Sequence, residues 1–414
     1  MDLDAFTWLL TADGQRLLAR AADLTEQEYA ERGRLDPVRA ASALRRQVPD
    51  ESPAHTSAAL TQVALRRRGS AKFGDLAARM YFTPDGLEQA TRLRVAEHRA
   101  ARVAAAAPAS VLDLGCGIGG DLAAFARAGL TAAGVDTDPL RVAVASANLA
   151  ALDLGGAVRQ ADATDLDLSG FGVVFADPAR RTARGRVFSV EDYSPPWSFV
   201  ERLLQPASRP AVVKVAPGIP HELVPDGAEA EWVSDDGEVK EAALWSPVLA
   251  TVARRATVIR GGGLATLTDE DAPDNPDPDN PDHGGASAVP VRAVGDFLYE
   301  PDGAVVRAHL VTAVAAGVEG GLLDPHIAYV TGDRPFSTPF ARTYRVLEQL
   351  PYREKQLRAA LRERNIGRLT IKKRGVDVVP ELLRKRLALR GEEEATVVLT
   401  RAAGRGVALL VRPL

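Results

Sequence analysis

A single stretch constrains what this chain can fold into more than any other: residues 110–138, SVLDLGCGIGGDLAAFARAGLTAAGVDTD. An apolar run at 110–114 enters the turn Gly115-Cys116-Gly117-Ile118-Gly119-Gly120, a helical segment follows, and a second apolar run ends near Asp136. Glycines at that spacing permit a tight turn and let a ligand approach the backbone where the helix begins. Short apolar runs and helical stretches continue to alternate, which predicts strands at 110–114, 131–135, 157–160, 173–176 and 211–215, with helices at 121–128, 139–152 and 196–204. That order predicts an α/β fold built on a parallel, Rossmann-like sheet. Beyond it, EAEWVSDDGEVKEAALW alternates around Asp236-Gly237, a dipeptide suited to a two-residue turn, so an antiparallel terminal hairpin is expected to complete the sheet.

The glycine turn suits either a dinucleotide or S-adenosylmethionine (SAM). Asp113 separates the two, because it stands two residues before Gly115, at the carboxyl end of the first strand. There its charge would repel a diphosphate and attract a methionyl ammonium beside a sulfonium. Asp136, at the end of the second strand, holds the place of a ribose-binding carboxylate under both readings, with Thr137 next to it. Asp162 and Ala163, after the third strand, offer an acid and a backbone amide to an adenine edge, and a dehydrogenase does not require that acid. SAM is therefore the expected cofactor, bound by Asp113, Gly115, Cys116, Gly117, Gly119, Asp136, Thr137, Asp162 and Ala163. Cys116 is expected to be a small packing residue in this loop. No metal is expected, since the chain has one cysteine and its acidic run lacks the ligand spacing of a calcium loop.

The flanks differ in texture. Residues 1–105 read as a helical region, with Thr25 and Glu28 at capping-box spacing and one long helix expected over 84–106 behind Thr83 and Pro84. Residues 106–260 hold the SAM-binding fold. The stretch 261–288 carries seven acids between Asp269 and Asp282 among Pro and Asn, and is expected to be a disordered acidic loop. Residues 289–340 form a small mixed segment, with an apolar helix expected over 304–316. Residues 341–414 read as a compact α+β module: a basic helix at 344–364, a strand at 367–373, a second basic helix at 380–388 and two closing strands. The amino terminus lacks the pattern of a signal peptide, and no run of about eighteen apolar residues occurs, so a cytoplasmic protein with no membrane partner is expected.

The net charge of −4 conceals a division: residues 341–414 carry 18 Lys and Arg against 8 Asp and Glu, a net +10, and the remainder carries −14. Clustered cations gain from counterion release when they meet phosphates, so a polyanion is an expected partner, with Lys372, Lys373 and Arg374 as candidate contacts. A solvated helical face is the competing account of the same charge.

Six segments carry a resemblance to known proteins: LEQAT at 87–91, DPARR at 177–181, VKVAPGI at 213–219, GEVKEA at 237–242, YEPDGAVVRA at 299–308 and IGRLTIKKRG at 366–375. Residues 106–259 resemble the class I SAM-dependent methyltransferases. More narrowly, the chain resembles bacterial methyltransferases that carry a ferredoxin-like segment, here 289–340, and a C-terminal THUMP-like domain, here 341–414. The resemblance implies the class I sheet of parallel strands with an antiparallel hairpin, SAM as cofactor and, through the THUMP connection, a structured RNA such as tRNA or rRNA.

DPARR places Asp177 and Pro178 at the end of the fourth strand, where the sequence is similar to the D-P-P-aromatic motif of enzymes that methylate amines. That similarity implies a carboxylate and a carbonyl accepting the amine's hydrogens and turning its lone pair toward the methyl group. Ala179 replaces the second proline and Arg180 the aromatic, so stacking on a base would come from a guanidinium, from Tyr193 or from Trp197. D-P-A-R also resembles the motif of uracil C5-methyltransferases, but these require a downstream cysteine nucleophile, and Cys116 is committed to the glycine turn. Arg180, Arg181, Arg184 and Arg186 make a cationic loop suited to phosphate, and Lys214 ends the fifth strand near the same edge. The expected activity is methylation of a base amine in structured RNA. The alternatives are an RNA-binding protein that holds SAM without turnover, and a methyltransferase of proteins or small molecules.

Overall fold

The computed structural model describes residues 1–34, 36–180, 193–206, 209–271 and 289–414, with the backbone alone at Ala179 and Arg180. The chain divides into two units, Met1–Val215 with Leu244–Leu249, and Ala216–Ala243 with Ala250–Leu414.

The first unit opens with α1 (Leu3–Leu9), α2 (Ala12–Arg32), α3 (Pro37–Gln47), α4 (Pro53–Phe73), α5 (Pro84–Gln89) and α6 (Leu93–Ala105). Asp2, Thr11, Asp36, Ser52 and Thr83 each accept a first-turn amide, which fixes where α1 to α5 begin. Two helical expectations change. Thr25 and Glu28 lie inside α2, where the Thr25 hydroxyl donates to the Ala21 carbonyl at 2.7 Å, so the pair caps nothing. The helix expected over 84–106 is two helices, because Lys72 from α4 donates to the carbonyls of Leu87, Glu88 and Ala90 at 2.8, 2.5 and 2.9 Å and ends α5.

There follow β1 (Val111–Leu114), α7 (Gly120–Arg127), β2 (Ala132–Asp136), α8 (Pro139–Ala151), β3 (Ala157–Gln160), β4 (Val173–Ala176), β5 (Ala179–Arg180), β6 (Tyr193–Ser194), α9 (Trp197–Leu203) and β7 (Ala211–Val215). Neighbours run β7-β4-β1-β2-β3, every pair parallel, so the five expected strands form the expected parallel sheet. All four residues of β1 are buried, with β2 on one side and β4 on the other. The chain order reverses about β1, and at such a switch point the loops leaving the carboxyl ends of adjacent strands part to leave a crevice.

In the second unit β8 (Glu229–Asp235) and β9 (Glu238–Trp245) are neighbours joined by Asp236 and Gly237, whose φ values of 51° and 86° are those of the expected hairpin turn. The last residues of β9 belong to the first unit, where Ser246 exchanges two hydrogen bonds of 2.9 Å with Ala211 at the start of β7. Beside β8 lies β10 (Arg254–Arg260), parallel to it, and β11 (Gly263–Thr268) pairs antiparallel with β10. The stretch expected to be a disordered loop from residue 261 thus begins as a strand, because GLATLT alternates and buries Leu267. Residues 272–288 lie outside the described ones.

The unit continues with β12 (Phe297–Pro301), α10 (Gly303–Arg307), α11 (Val311–Gly317), β13 (Gly321–Asp324), β14 (Ile327–Gly332), β15 (Ala341–Leu350), α12 (Glu354–Glu363), β16 (Ile366–Lys373), α13 (Pro380–Leu387), β17 (Glu393–Ala402) and β18 (Arg405–Pro413). One seven-stranded sheet has the order β13-β14-β12-β15-β18-β17-β16, so the boundary expected at residue 340 falls inside it, where β12 pairs with β15. The helix expected over 344–364 is a strand followed by a helix. Ala341, Tyr344 and Leu350 turn inward from β15 and its charged residues lie between them, a spacing that imitates a charged helix face. The single helix expected over 304–316 is likewise broken, at His309, whose φ is 57°.

Leu357 and Leu361 of α12 and Leu383 and Leu387 of α13 cover Leu369, Ile371, Val397 and Leu399. On the alternate positions, Leu298, Tyr329, Val398, Leu409 and Val411 form a second core. The sheet curls so far that Lys372 on the edge strand β16 reaches Glu300 on β12 at 2.5 Å, although three strands separate them in the sheet order. Among the described residues no helix is long and apolar enough to cross a membrane, and no cluster of His, Cys, Asp and Glu could hold a metal ion.

Candidate active site

The site in the first unit is built at the carboxyl ends of β1, β4 and β7. Gly115, Gly117 and Gly119 have φ values of 80°, 55° and 78°, a region that side chains adopt at a cost. At Gly119 a Cβ would also stand 3.1 Å from that of Ala145 in α8. Asp136 holds this turn from the end of β2: its carboxylate accepts the amides of Gly117 at 3.0 Å and Asp138 at 2.9 Å. Asn148 of α8 holds it from below. Fully buried, it donates to the Ile118 carbonyl at 2.8 Å and pairs with both backbone groups of Tyr81, at 2.6 and 3.0 Å. Gln62 of α4 pairs in the same way with Phe82, so two amide side chains bracket the extended segment that leads to α5. Neither amide has a sequence signature, since each is a lone polar residue on an otherwise small or apolar helix face.

Asp113 is 1% exposed, and neither oxygen of its carboxylate has a hydrogen-bond partner among the described residues. Burial above all, then the nearby Asp121 and Asp177, push its pKa well above the usual carboxylate range, against the opposing charges of Arg99 and Lys214. Arg99, itself buried, pairs with Asp121 and stands 4.6 Å over the Phe175 ring. A buried acid with two open acceptor sites is costly unless a cation or donor reaches it. The residues therefore fit a ligand that brings a positive group to the end of β1, as SAM does with its ammonium.

Asp177 follows β4 directly. A Cβ on Gly115 would stand 3.8 Å from its carbonyl oxygen, so the two loops pass close together. Its carboxylate is 35% exposed, and Oδ2 accepts from the Lys214 ammonium at 2.6 Å, which also donates to Thr91 at 3.1 Å. Pro178 is buried beside it. The structure thus brings together residues from four segments: Thr91 before α6, Asp113 and the glycines after β1, Asp177 after β4, and Lys214 on β7.

The remaining candidates occupy varied surroundings. Asp162 is exposed, and the amide and hydroxyl of Thr164 hold its carboxyl below the usual range. Ala163 follows it into a short turn. Thr137 is exposed, and its carbonyl accepts from the Gln160 side chain at 3.0 Å, which ties the ends of β2 and β3 together. Cys116 is buried against Gly134 of β2, and burial pushes its thiol far above the range of a reactive cysteine.

Tyr193 and Trp197 are 2% and 6% exposed and pack edge to face at 5.7 Å, so neither stands open for stacking on a base. The backbone of Arg180 lies in β5, paired with Tyr193, while Arg181, Arg184 and Arg186 fall outside the described residues. In the second unit Lys372 is paired with Glu300, and Arg374 donates to the Ala328 carbonyl at 2.9 Å and lies over the Tyr329 ring. Lys373 is exposed.

Comparison with known proteins agrees with this geometry. Residues 111–183 match a methyltransferase domain family, residues 341–413 the THUMP domain-like family, and residues 2–69 a domain of unknown function. A crystal structure from Porphyromonas gingivalis W83, titled as that of a methyltransferase, superposes with a TM-score of 0.70 at 21% identity, covering 88% of this chain and 92% of that one. An uncharacterized SAM-dependent methyltransferase of Mycobacterium tuberculosis is 39% identical over 347 residues, 81% of this chain and 90% of the relative. With that identity over that span, and a buried acid beside a glycine turn at the head of the sheet, this chain belongs to the SAM-dependent methyltransferases.

Proposed function

We propose that the enzyme transfers the methyl group of SAM to an amine on a base of structured RNA. The observation that carries the reading is Asp177. Lys214 occupies its Oδ2 at 2.6 Å, and Oδ1 has no hydrogen bond among the described residues, so a fixed carboxylate offers one free acceptor beside the glycine turn. SAM, when bound, supplies a methyl group made electrophilic by its sulfonium. Asp113 receives the methionyl ammonium, the backbone of Gly115, Cys116, Gly117 and Gly119 packs under the cofactor, Asp136 with Thr137 takes the ribose, and Asp162 with Ala163 takes the adenine edge. Each oxygen of Asp136 accepts one amide and retains a lone pair for a ribose hydroxyl.

Asp177 and the carbonyl beside Pro178 accept the hydrogens of the incoming amine and aim its lone pair. A neutral amine needs no proton removed before it attacks, so orientation supplies most of the barrier reduction. Arg180, Arg181, Lys372, Lys373 and Arg374 are assigned to the RNA, and the +10 charge of residues 341–414, which match the THUMP domain-like family, supports that partner. The test is to incubate the enzyme with methyl-labelled SAM and total RNA from a strain lacking it, then identify the labelled nucleoside by mass spectrometry. Label found in protein or small molecules and none in RNA refutes the reading.

A further inference from the structure

The second unit holds an open groove of about 1120 Å³ whose lining includes Arg260, Arg342 and Lys372 and no acidic side chain. Its floor is one face of the curled sheet. Arg342 and Tyr344 alternate along β15, Thr370 and Lys372 along β16, and Thr396 of β17 stands opposite Thr370. Phe336, half-buried, stands at the rim on a loop fixed by the Tyr299 hydroxyl, which accepts the Phe336 amide at 3.1 Å and donates to the Arg334 carbonyl at 2.5 Å.

Two acids beside these cations are already engaged. Glu300 accepts from Lys372 at 2.5 Å and from the Tyr344 hydroxyl at 2.9 Å. Asp302, 1% exposed in its side chain, accepts the Ala304 amide at 2.9 Å and from Arg260 at 3.5 Å. Arg342 is exposed and has no acidic partner among the described residues. A Cβ on Gly237 would stand 3.2 Å from Nη2 of Arg342 and 3.4 Å from Nη2 of Arg260, so the guanidinium groups of two residues that line the groove converge beside Gly237. Like charges converge at a cost that an anion between them removes, and paired guanidinium groups suit the oxygens of a phosphate.

We infer that this groove binds the phosphodiester backbone of the RNA, with Arg342 and Arg260 gripping one phosphate at its mouth and the hydroxyls of Thr370 and Thr396 donating to the strand along its floor. The inference rests on the RNA reading proposed above. It moves the principal phosphate contact from Lys372 and Arg374, which are tied up within the domain, to a residue of β15.

The probe is end-labelled bulk tRNA, bound by the full-length enzyme between 50 and 200 mM salt. Arg342→Ala is expected to weaken binding about five- to tenfold and to lower the log–log salt slope by about 0.7–0.9, the loss of one phosphate contact. Arg342→Glu weakens it further, and Arg405→Glu, an exposed reversal on β18 outside the groove, changes it less than about twofold. An unchanged far-ultraviolet circular dichroism spectrum and thermal unfolding profile of the whole chain show that each variant is folded. Equal weakening by the Arg342 and Arg405 reversals means diffuse attraction and overturns the groove. Wild-type methylation of RNA together with undiminished binding by Arg342→Glu overturns the groove and leaves the RNA reading standing. Absence of tRNA binding by the wild type and of label in any RNA overturns both.

Discussion

Asp113→Asn tests the cofactor pocket directly. The native carboxyl is 1% exposed, neither oxygen is hydrogen-bonded among the described residues, and burial with Asp121 and Asp177 raises its pKa. The folded protein therefore holds this proton more tightly than the unfolded chain. The stability tied to the proton is complete below about pH 3.9 and is lost as pH rises through the raised folded value. An amide of nearly equal size cannot ionise, so without SAM the unfolding temperature of the variant falls less with rising pH than that of the wild type. With SAM the order reverses. The ammonium of the cofactor favours the ionised carboxylate, so the wild type releases a proton on binding at pH values below the raised pKa. Removing one member of a buried charged pair costs about 2–5 kcal/mol, which weakens SAM binding by about 30-fold to several thousandfold. Titration calorimetry in buffers of different ionisation enthalpy gives both affinity and proton count. An unchanged dissociation constant and proton count in the variant would show that Asp113 does not face the ammonium.

Other substitutions probe the surrounding geometry. Asp177→Ala is expected to lower kcat about 10²- to 10³-fold, the scale of one oriented polar group, with SAM affinity retained; turnover like the wild type refutes its role. Lys214→Met leaves the Asp177 carboxylate unanchored and should cost less than Asp177→Ala does, on the order of tenfold in kcat, read by single-turnover methyl transfer. Asn148→Ala strands the Tyr81 amide and two carbonyls in the core and should destabilise by about 3 kcal/mol or more, at roughly 1–3 kcal/mol for each unsatisfied group, measured by urea unfolding of the first unit. Cys116→Ala should leave turnover within about threefold of wild type, because a buried, protonated thiol has no part in the chemistry; complete loss of activity with SAM still bound would restore a covalent route.

The glycine turn and the five strands were legible because the signals are local. Left-handed φ values demand glycine at 115, 117 and 119, and the strands are short apolar runs separated by helices. Asp113 could be chosen from its offset to Gly115 alone, and the structure adds the reason, a buried carboxylate without a hydrogen-bond partner among the described residues. What stayed hidden depends on contacts distant in sequence. Lys72 ends α5 by reaching carbonyls fifteen to eighteen residues away, so nothing within 84–106 marks the break. Asn148 meets Tyr81 across 67 residues. Strand β11 was concealed by the acids that follow it, since composition averaged over 261–288 describes its acidic end and misses GLATLT.

The charge of the C-terminal module shows the same limit in a sharper form. Its net +10 is a sum, and recognition depends on where each cation is held. Arg364 grips both oxygens of Glu348 at 2.6 and 2.7 Å, Arg386 of α13 pairs with Glu354 of α12 at 2.8 Å, and Arg368 pairs with Glu394 on the neighbouring strand. Arg358 and Arg362 of α12 donate to the carbonyls of Arg386 and Ala388 at the end of α13, where cations also complement the helix dipole. Much of what looked like an RNA-binding surface on two basic helices therefore joins those helices to each other. The excess of positive charge survives this bonding, because a carbonyl accepts a hydrogen bond without neutralising the donor. At the large groove the exposed cation with no acidic partner among the described residues is Arg342, in a strand whose inward residues are spaced irregularly among its charges. Counting cations points to a module; their partners separate the guanidinium groups that build it from those, such as Arg342, that remain open to an anion.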